Sequence, residues 1–156
     1  MEKNNITLRP AQLKDLETLL DFEQGVISYE RAFTTSLKED PITYYDIKQL
    51  IENDDAQMLV AICDGQVVGS GYALIKKNKP YKVNSTYAYL GFMYVTPSHR
   101  GKGINGMITE GLLKWSKSRG IQTVQLDVYA DNTSAIQAYS KKGFTPNLLN
   151  MTMMIT

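Results

Sequence analysis

Between residues 95 and 106 the chain reads Val95-Thr96-Pro97-Ser98-His99-Arg100-Gly101-Lys102-Gly103-Ile104-Asn105-Gly106. These residue types suit an anion cradle. Glycines at 101, 103 and 106 have no Cβ to hold the backbone away from a ligand. Successive N–H groups at a helix start can surround a phosphate, and Arg100 and Lys102 add positive charge beside it. His99, beside Arg100, reads as a loop residue on the rim of that cradle and not as a catalytic base.

Two other phosphate-binding patterns compete. Gly101-x-Gly103-x-x-Gly106 matches the dinucleotide fingerprint, and Asp127 lies near the ~20-residue offset of a ribose-binding carboxylate. Four residues, Pro97 to Arg100, separate those glycines from the preceding strand, however, and too few elements follow for a long doubly wound sheet. A nicotinamide-dependent (NAD) oxidoreductase is therefore the remote alternative. The nucleoside-triphosphate loop fails because no Gly-Lys is followed by Ser or Thr. Ser70 stands between Gly69 and Gly71 without a Gly-x-Ser-x-Gly elbow, so a hydrolase triad has no support.

The elements that position the loop follow from periodicity. Ile6-Thr7-Leu8-Arg9 alternates as a strand that Pro10 ends, and Leu13, Leu16, Leu19 and Leu20 have helical spacing. Tyr44, Ile47, Leu50 and Ile51 suggest a second helix. Gly25 to Pro41 has no clean period and reads as a long connection holding Tyr29, Glu30, Arg31 and Phe33. Residues 57–63 and 66–75 are strands joined at Asp64-Gly65, the type I′ hairpin signature. Lys76 to Lys82 is a basic, solvated connection, and a third long strand runs from Tyr87 to Val95.

After the loop, Met107, Ile108, Leu112 and Trp115 recur at helical spacing, and Arg119-Gly120 stops the helix. Val124, Leu126 and Val128 alternate as a strand. Asp131-Asn132 offers a cap for a short helix that ends at Gly143, and Leu148, Leu149, Met151, Met153 and Ile155 suggest a closing strand. The expected architecture is α/β, with the loop between parallel neighbours.

Size and composition limit the function. The chain has 156 residues and a formal charge of +1, which fits one domain over 1–156 and gives no global attraction for nucleic acid or an anionic membrane. Cys63, the one cysteine, excludes an internal disulfide and reads as a buried thiol; with a single histidine there is no His/Cys zinc constellation, and no metal is expected. The start, Met1-Glu2-Lys3-Asn4-Asn5, is polar, and no apolar run is long enough to span a membrane. The expected location is cytoplasmic.

Arg100-Gly101-Lys102-Gly103-Ile104-Asn105 resembles the diphosphate loop of the GCN5-related N-acetyltransferases (GNAT). That loop reads Arg or Gln, two residues, Gly, one residue, Gly or Ala. Asn105 departs from the small last residue, and Gly106 follows it. A second block of the family is matched by Asn132, Ala135, Tyr139 and Gly143-Phe144. The resemblance covers nearly the whole chain. It implies a mixed central sheet with antiparallel N-terminal hairpin strands and a splayed parallel pair, flanked by about four helices.

It also implies acetyl-coenzyme A (acetyl-CoA) as donor. The diphosphate would sit on Arg100, Gly101, Lys102, Gly103, Ile104, Asn105 and Gly106. The pantetheine arm would lie along the backbone of Met93, Tyr94 and Val95, with Asn132, Ala135 and Tyr139 also facing the coenzyme. Tyr139 falls on the general-acid position, a phenol suited to protonating a departing thiolate. Asp127, twelve residues before Tyr139, is the first candidate for the base, Glu30 the second and Glu23 the third. Tyr29 and Glu30 would face the acceptor, and Tyr89 would line its cleft with Tyr87 and Tyr94.

The expected reaction is direct transfer of acetyl to a primary amine, on a small molecule or a peptide, in a ternary complex. A non-catalytic acyl-CoA-binding sensor is the alternative. Relatives of the family are often dimers, and the Met-rich end at Met151, Met153 and Met154 leaves a homodimer open through a shared sheet edge.

Overall fold

The computed structural model describes residues 5–156. Most of the charged start, Met1 to Asn4, lies outside them. Five strands form one sheet in the order β1 (Ile6–Pro10), β2 (Ala56–Cys63), β3 (Gln66–Lys77), β4 (Thr86–Val95) and β5 (Val124–Leu126). The first four are antiparallel neighbours, and β5 runs parallel to β4. Such a sheet is not the doubly wound parallel sheet of a dinucleotide fold. Four helices flank it: α1 (Leu16–Glu30), α2 (Ile47–Glu52), α3 (Ile104–Ser118) and α4 (Thr133–Lys142).

Local chemistry sets most of the boundaries. Asp64 and Gly65 have φ of 50° and 79°, as a type I′ turn requires, and the hairpin forms there. Gly120 and Gly143, with φ of 76° and 107°, end α3 and α4. Asn132 caps α4 by accepting from the Ala135 N–H at 3.3 Å.

Four expectations need correction. Gly25 does not open a long connection; α1 continues through it to Glu30, so Tyr29 and Glu30 stand on the helix's last turn. The glycine is there because the Tyr94 ring lies against it: a Cβ would meet Tyr94 Cε2 at 2.7 Å. The buried stripe of α1 is Leu19, Phe22, Glu23, Val26 and Ile27, whereas Leu13 and Leu20 are exposed. Val128 lies outside β5, which ends at Leu126. No strand forms over Leu148 to Ile155.

Each face of the sheet carries its own core. Leu19, Phe22, Val26, Ile47, Leu50, Met58, Val60, Tyr72 and Phe92 fill the side of α1 and α2. Ile6, Leu59, Val68, Ala73, Leu90, Ile104, Ile108 and Leu112 fill the side of α3. Gly69 and Gly71 let α3 approach β3, since a Cβ on Gly71 would meet Met93 Sδ at 2.6 Å and Ile108 Cγ2 at 2.8 Å. Cys63 is buried, as its apolar neighbours suggest.

The turn between β1 and α1 is locked by charge. Asp15 is buried and takes both ends of the Arg9 guanidinium, at 2.7 and 2.9 Å, together with the Gln12 N–H at 2.8 Å. The Arg9 hydrogen bond, with help from Gln12, holds the Asp15 carboxyl below its ordinary value, against the opposing effect of burial. Asp15→Asn is expected to cost about 2 kcal/mol at neutral pH, the scale of a hydrogen bond to a charged group. Because the folded pKa is depressed, this stabilisation is complete above the unfolded value of about 3.9 and is lost as pH falls through the folded one. Urea melts of wild type and variant should differ at neutral pH and draw together as the pH falls through the folded-state pKa of Asp15; curves that stay equally far apart would remove the ion pair as the cause.

Candidate functional site

The site starts from an irregularity in β4. Tyr72 pairs with Gly91 and Ser70 with Tyr94, so Gly71 faces two residues, Phe92 and Met93, and β4 bulges. Phe92 adopts φ of 57°, a conformation bulky side chains rarely accept. Its ring is buried against Tyr45 at 4.8 Å, and its displaced carbonyl accepts from the buried Ser70 hydroxyl at 3.0 Å. Packing on one side and a hydrogen bond on the other hold the strained residue.

The β4–β5 pairing stops short of the bulge. The ladder covers only Ala88↔Val124, Tyr89↔Gln125 and Leu90↔Leu126. Among the described residues no strand pairs with β4 on that side from Gly91 to Val95, so the main-chain groups of this stretch that turn away from β3 face a gap. The side chains of Met93 and Val95 pack on the α3-side core, so only their backbone serves the gap.

The glycine loop closes one end of the gap. Gly101 and Gly103 have φ of 78° and 80°, and a Cβ on Gly101 would meet nothing within 4 Å, so the space over that turn is open. The Met107 N–H makes the first helical bond, to the Gly103 carbonyl at 3.1 Å. The amides of Ile104, Asn105 and Gly106 precede it at the helix's positive end and have no carbonyl a turn behind them. Such a nest of N–H groups with open space above it fits a diphosphate, so the residues present suit the coenzyme that the sequence implies.

Arg100 differs from the simplest expectation. Its Nε donates to the Val95 carbonyl at 2.9 Å and its guanidinium lies over the Tyr94 ring at 5.6 Å, so it ties the loop to the strand end as well as adding charge. Ile104 is a core residue, 1% exposed, and contributes through its backbone. His99 Nδ1 lies 3.0 Å from both Thr96 Oγ1 and Ser98 Oγ, within its own turn.

The α3 and α4 ends meet beside the gap. Lys142 reaches Glu110 at 3.6 Å and passes over Gly106. Tyr139, on α4, is half-buried, with Phe144 edge-on to its ring at 5.7 Å. Burial pushes its phenol above the ordinary value, and a polar contact with the Asn105 side chain offsets part of that rise. Asn105 Oδ1 is itself buried without a hydrogen bond. The residue that departs from the family pattern thus sits against the phenol. Asn132 Oδ1 serves as the α4 cap and also accepts from Tyr29 Oη at 3.4 Å, which links α4 to the end of α1. Ala135 enters this arrangement through its N–H.

At the other end of the gap two carboxylates stand among tyrosines. Asp127, just beyond β5, accepts from Tyr89 Oη at 3.0 Å. Lys76 covers the face of the Tyr89 ring at 4.3 Å. Glu30 is half-buried; desolvation raises its carboxyl above the usual range, with Tyr44 opposing. Tyr44 Oη lies near Glu30 and Tyr129 and is buried without a hydrogen bond of full geometry. Burial, and then the charge of Asp127, also raise the Tyr89 phenol. Phe33 continues the wall, edge-on to Tyr29 at 5.3 Å and stacked with Tyr129 at 6.3 Å.

Sequence reasoning brought Glu30, Asp127, Tyr29 and Tyr89 to this site and missed Tyr44, Tyr45, Tyr72 and Tyr129. Tyr44 has the spacing of a helix stripe, but α2 begins only at Ile47, and no local pattern marks the others. Glu23 is not a base facing solvent. It is fully buried, and its Oε2 accepts from the Tyr44 and Tyr45 N–H groups at 2.9 and 2.8 Å, clamping the segment that supplies two of the tyrosines. Tyr94 packs on Phe22 at 4.7 Å and belongs to the core side of the cleft.

The comparisons agree with this geometry. Residues 23–144 match the model of the Acetyltransferase (GNAT) family. A mycothiol acetyltransferase of Brachybacterium faecium is 29% identical over 88% of this chain, which spans 42% of that relative's length. N-alpha-acetyltransferase 30 of Schizosaccharomyces pombe is 25% identical over 67% of this chain and 68% of its own. A predicted acetyltransferase from Clostridium acetobutylicum, solved with acetyl-CoA, superposes with a TM-score of 0.75 at 19% identity, covering 94% of this chain and 96% of that one.

Proposed function

Since the chain belongs to the GNAT acetyltransferase family, we propose that it moves acetyl from acetyl-CoA directly onto a cationic primary amine. The observation that carries this reading is the β4–β5 ladder that stops after three pairs. The gap beyond it has an anion cradle at one end and two carboxylates at the other.

Acetyl-CoA supplies the acetyl group as an activated thioester. The amides from Gly101 to Gly106 and the charges of Arg100 and Lys102 would hold its diphosphate. The free edge of Met93, Tyr94 and Val95 would take its amide-bearing arm as an added strand. A backbone N–H of that edge is the donor for charge developing on the carbonyl oxygen.

An alkylammonium with pKa near ~10 must lose a proton before it attacks. Glu30 is the better proton acceptor of the two carboxylates, since desolvation has already raised its proton affinity. Asp127, hydrogen-bonded to Tyr89, holds the incoming ammonium between the phenol walls of Tyr44, Tyr89 and Tyr129. Tyr139 delivers a proton to the departing sulfur, and Asn105 favours the phenolate left behind. The acceptor is an amine on a small molecule or a peptide.

Calorimetric titration tests the cradle. Acetyl-CoA should bind and NAD should not. Gly103→Val, which forces a β-branched residue to φ near 80°, should weaken acetyl-CoA about ten- to a hundredfold, the equivalent of roughly 1–3 kcal/mol, with the circular dichroism spectrum unchanged. NAD binding, or acetyl-CoA binding indifferent to Gly103→Val, would overturn this reading.

A further inference from the structure

Ser70 stands between two glycines, and acetyl transfer as described so far gives its hydroxyl no part. Gly69 and Gly71 turn to the α3 side, where an added Cβ would meet Ile108 side-chain carbons at 3.1 and 2.8 Å. Alternation along β3 sends the Ser70 side chain to the other face, with Tyr72 in the α1-side core two residues on. It is 0% exposed, and a hydroxyl so buried needs a partner. That partner is the Phe92 carbonyl on β4, which accepts from Ser70 Oγ at 3.0 Å.

The direction of that carbonyl decides the direction of an amide. The register between β3 and β4 passes from Tyr72↔Gly91 to Ser70↔Tyr94, so Phe92 and Met93 lie in the bulge, and Phe92 has φ of 57°. The peptide joining them is trans, and a planar trans peptide carries its C=O and N–H on opposite sides. With the Phe92 C=O directed at Ser70 on β3, the Met93 N–H is directed away from β3.

The phase of the strand gives the same answer. The Thr96 N–H donates to the Val68 carbonyl of β3 at 2.9 Å. Counting back in an extended strand, the Tyr94 N–H faces β3 as well, and those of Val95 and Met93 face the other way. On that side β5 has stopped pairing after Leu126, so the Met93 N–H opens into the gap. An N–H fixed there before substrate arrives needs no reorientation when charge develops on a nearby oxygen.

We propose that Ser70 is a positioning residue for acetyl transfer: its hydroxyl holds the Phe92 carbonyl and thereby keeps the Met93 N–H turned towards the acetyl oxygen of the bound thioester. The inference rests on the acetyl-CoA reading above and adds the side chain that aims the amide. Alanine at this position would leave a buried carbonyl without its donor. The peptide would then turn towards another donor and take the Met93 N–H with it.

The test applies calorimetry, steady-state kinetics and isotope-edited infrared spectroscopy to the full chain, with acetyl-CoA labelled at its acetyl carbonyl carbon and no acceptor present for the spectra. In wild type the carbonyl stretch of bound acetyl-CoA should lie below that of acetyl-CoA in solution, the mark of a hydrogen bond to the oxygen. Ser70→Ala should lose most of that lowering. Its kcat should fall about 10–100-fold while the dissociation constant for acetyl-CoA and the KM for the acceptor change by less than about twofold. Ser70→Cys, which fills the space with a poor donor, should behave as Ser70→Ala does. The proposal is overturned by a carbonyl stretch that Ser70→Ala leaves unmoved, by a kcat within about threefold of wild type, or by full recovery in Ser70→Cys, which would make Ser70 a filler of space. Wild type that binds no acetyl-CoA would overturn the acetyl-CoA reading and this proposal with it; acetyl-CoA that binds with its carbonyl unshifted overturns this proposal alone.

Discussion

Tyr139→Phe is expected to lower kcat by about 10²–10³-fold while the dissociation constant for acetyl-CoA changes by less than about twofold. The substitution removes one oxygen from a half-buried ring and keeps its edge-on contact with Phe144, so the fold of α4 has little reason to change. What disappears is the proton for the leaving sulfur. An unassisted thiolate must depart instead, and the barrier rises by roughly 3–4 kcal/mol for a loss of that size. Steady-state rates and calorimetry on the same preparations check it. A rate within about threefold of wild type would show that the phenol only fills space.

Glu30→Gln should lower kcat/KM about 10²-fold at neutral pH and change the shape of the pH profile. In wild type the rate should rise as Glu30 ionises, at a pH above the usual carboxylate range because desolvation raises its pKa, and then level off. Gln cannot take the proton, so the variant must wait for neutral amine in solution. Its rate should keep climbing tenfold per pH unit towards the amine's own pKa near ~10. A wild-type profile with that same continuous climb would mean that no protein base acts. If Asp127→Asn and not Glu30→Gln abolished the plateau, the base would be Asp127.

Much of the framework was legible because it is written in local chemistry. Asp64-Gly65 can form few turns other than the one observed, and Asn132 with Gly143 brackets α4 by cap and left-handed stop. The glycine loop announced an anion because backbone amides, glycine freedom and cationic residues act within seven positions. The misses share one cause, dependence on a distant partner. A glycine stands at position 25 within a helix because the Tyr94 ring, far along the chain, occupies the place a side chain would take. Phe92 holds a positive φ because Tyr45 and Ser70 fix it, so neither the bulge nor the splay of β4 from β5 is visible in the run Thr86–Val95.

Glu23 shows the same limit from the side of charge. A carboxylate on a helix usually faces water, yet here two N–H groups of residues 44 and 45 draw it into the core. The alternation of Leu149, Met151, Met153 and Ile155 predicts a strand, but no strand forms there. Asn105 is the converse case. It was legible as a departure from the family's loop, and its contact with Tyr139 gives the departure a chemical setting.

The most direct measurement is thiol release from acetyl-CoA in the presence of primary amines, amino acids, aminoglycosides and peptides, with mass spectrometry of the acceptor. Enzyme-dependent release that needs a cationic amine, with one acetyl group gained by that amine, is the predicted result. Acetyl-CoA that binds tightly yet releases no thiol with any acceptor would contradict the account and leave a coenzyme-binding protein without transferase chemistry.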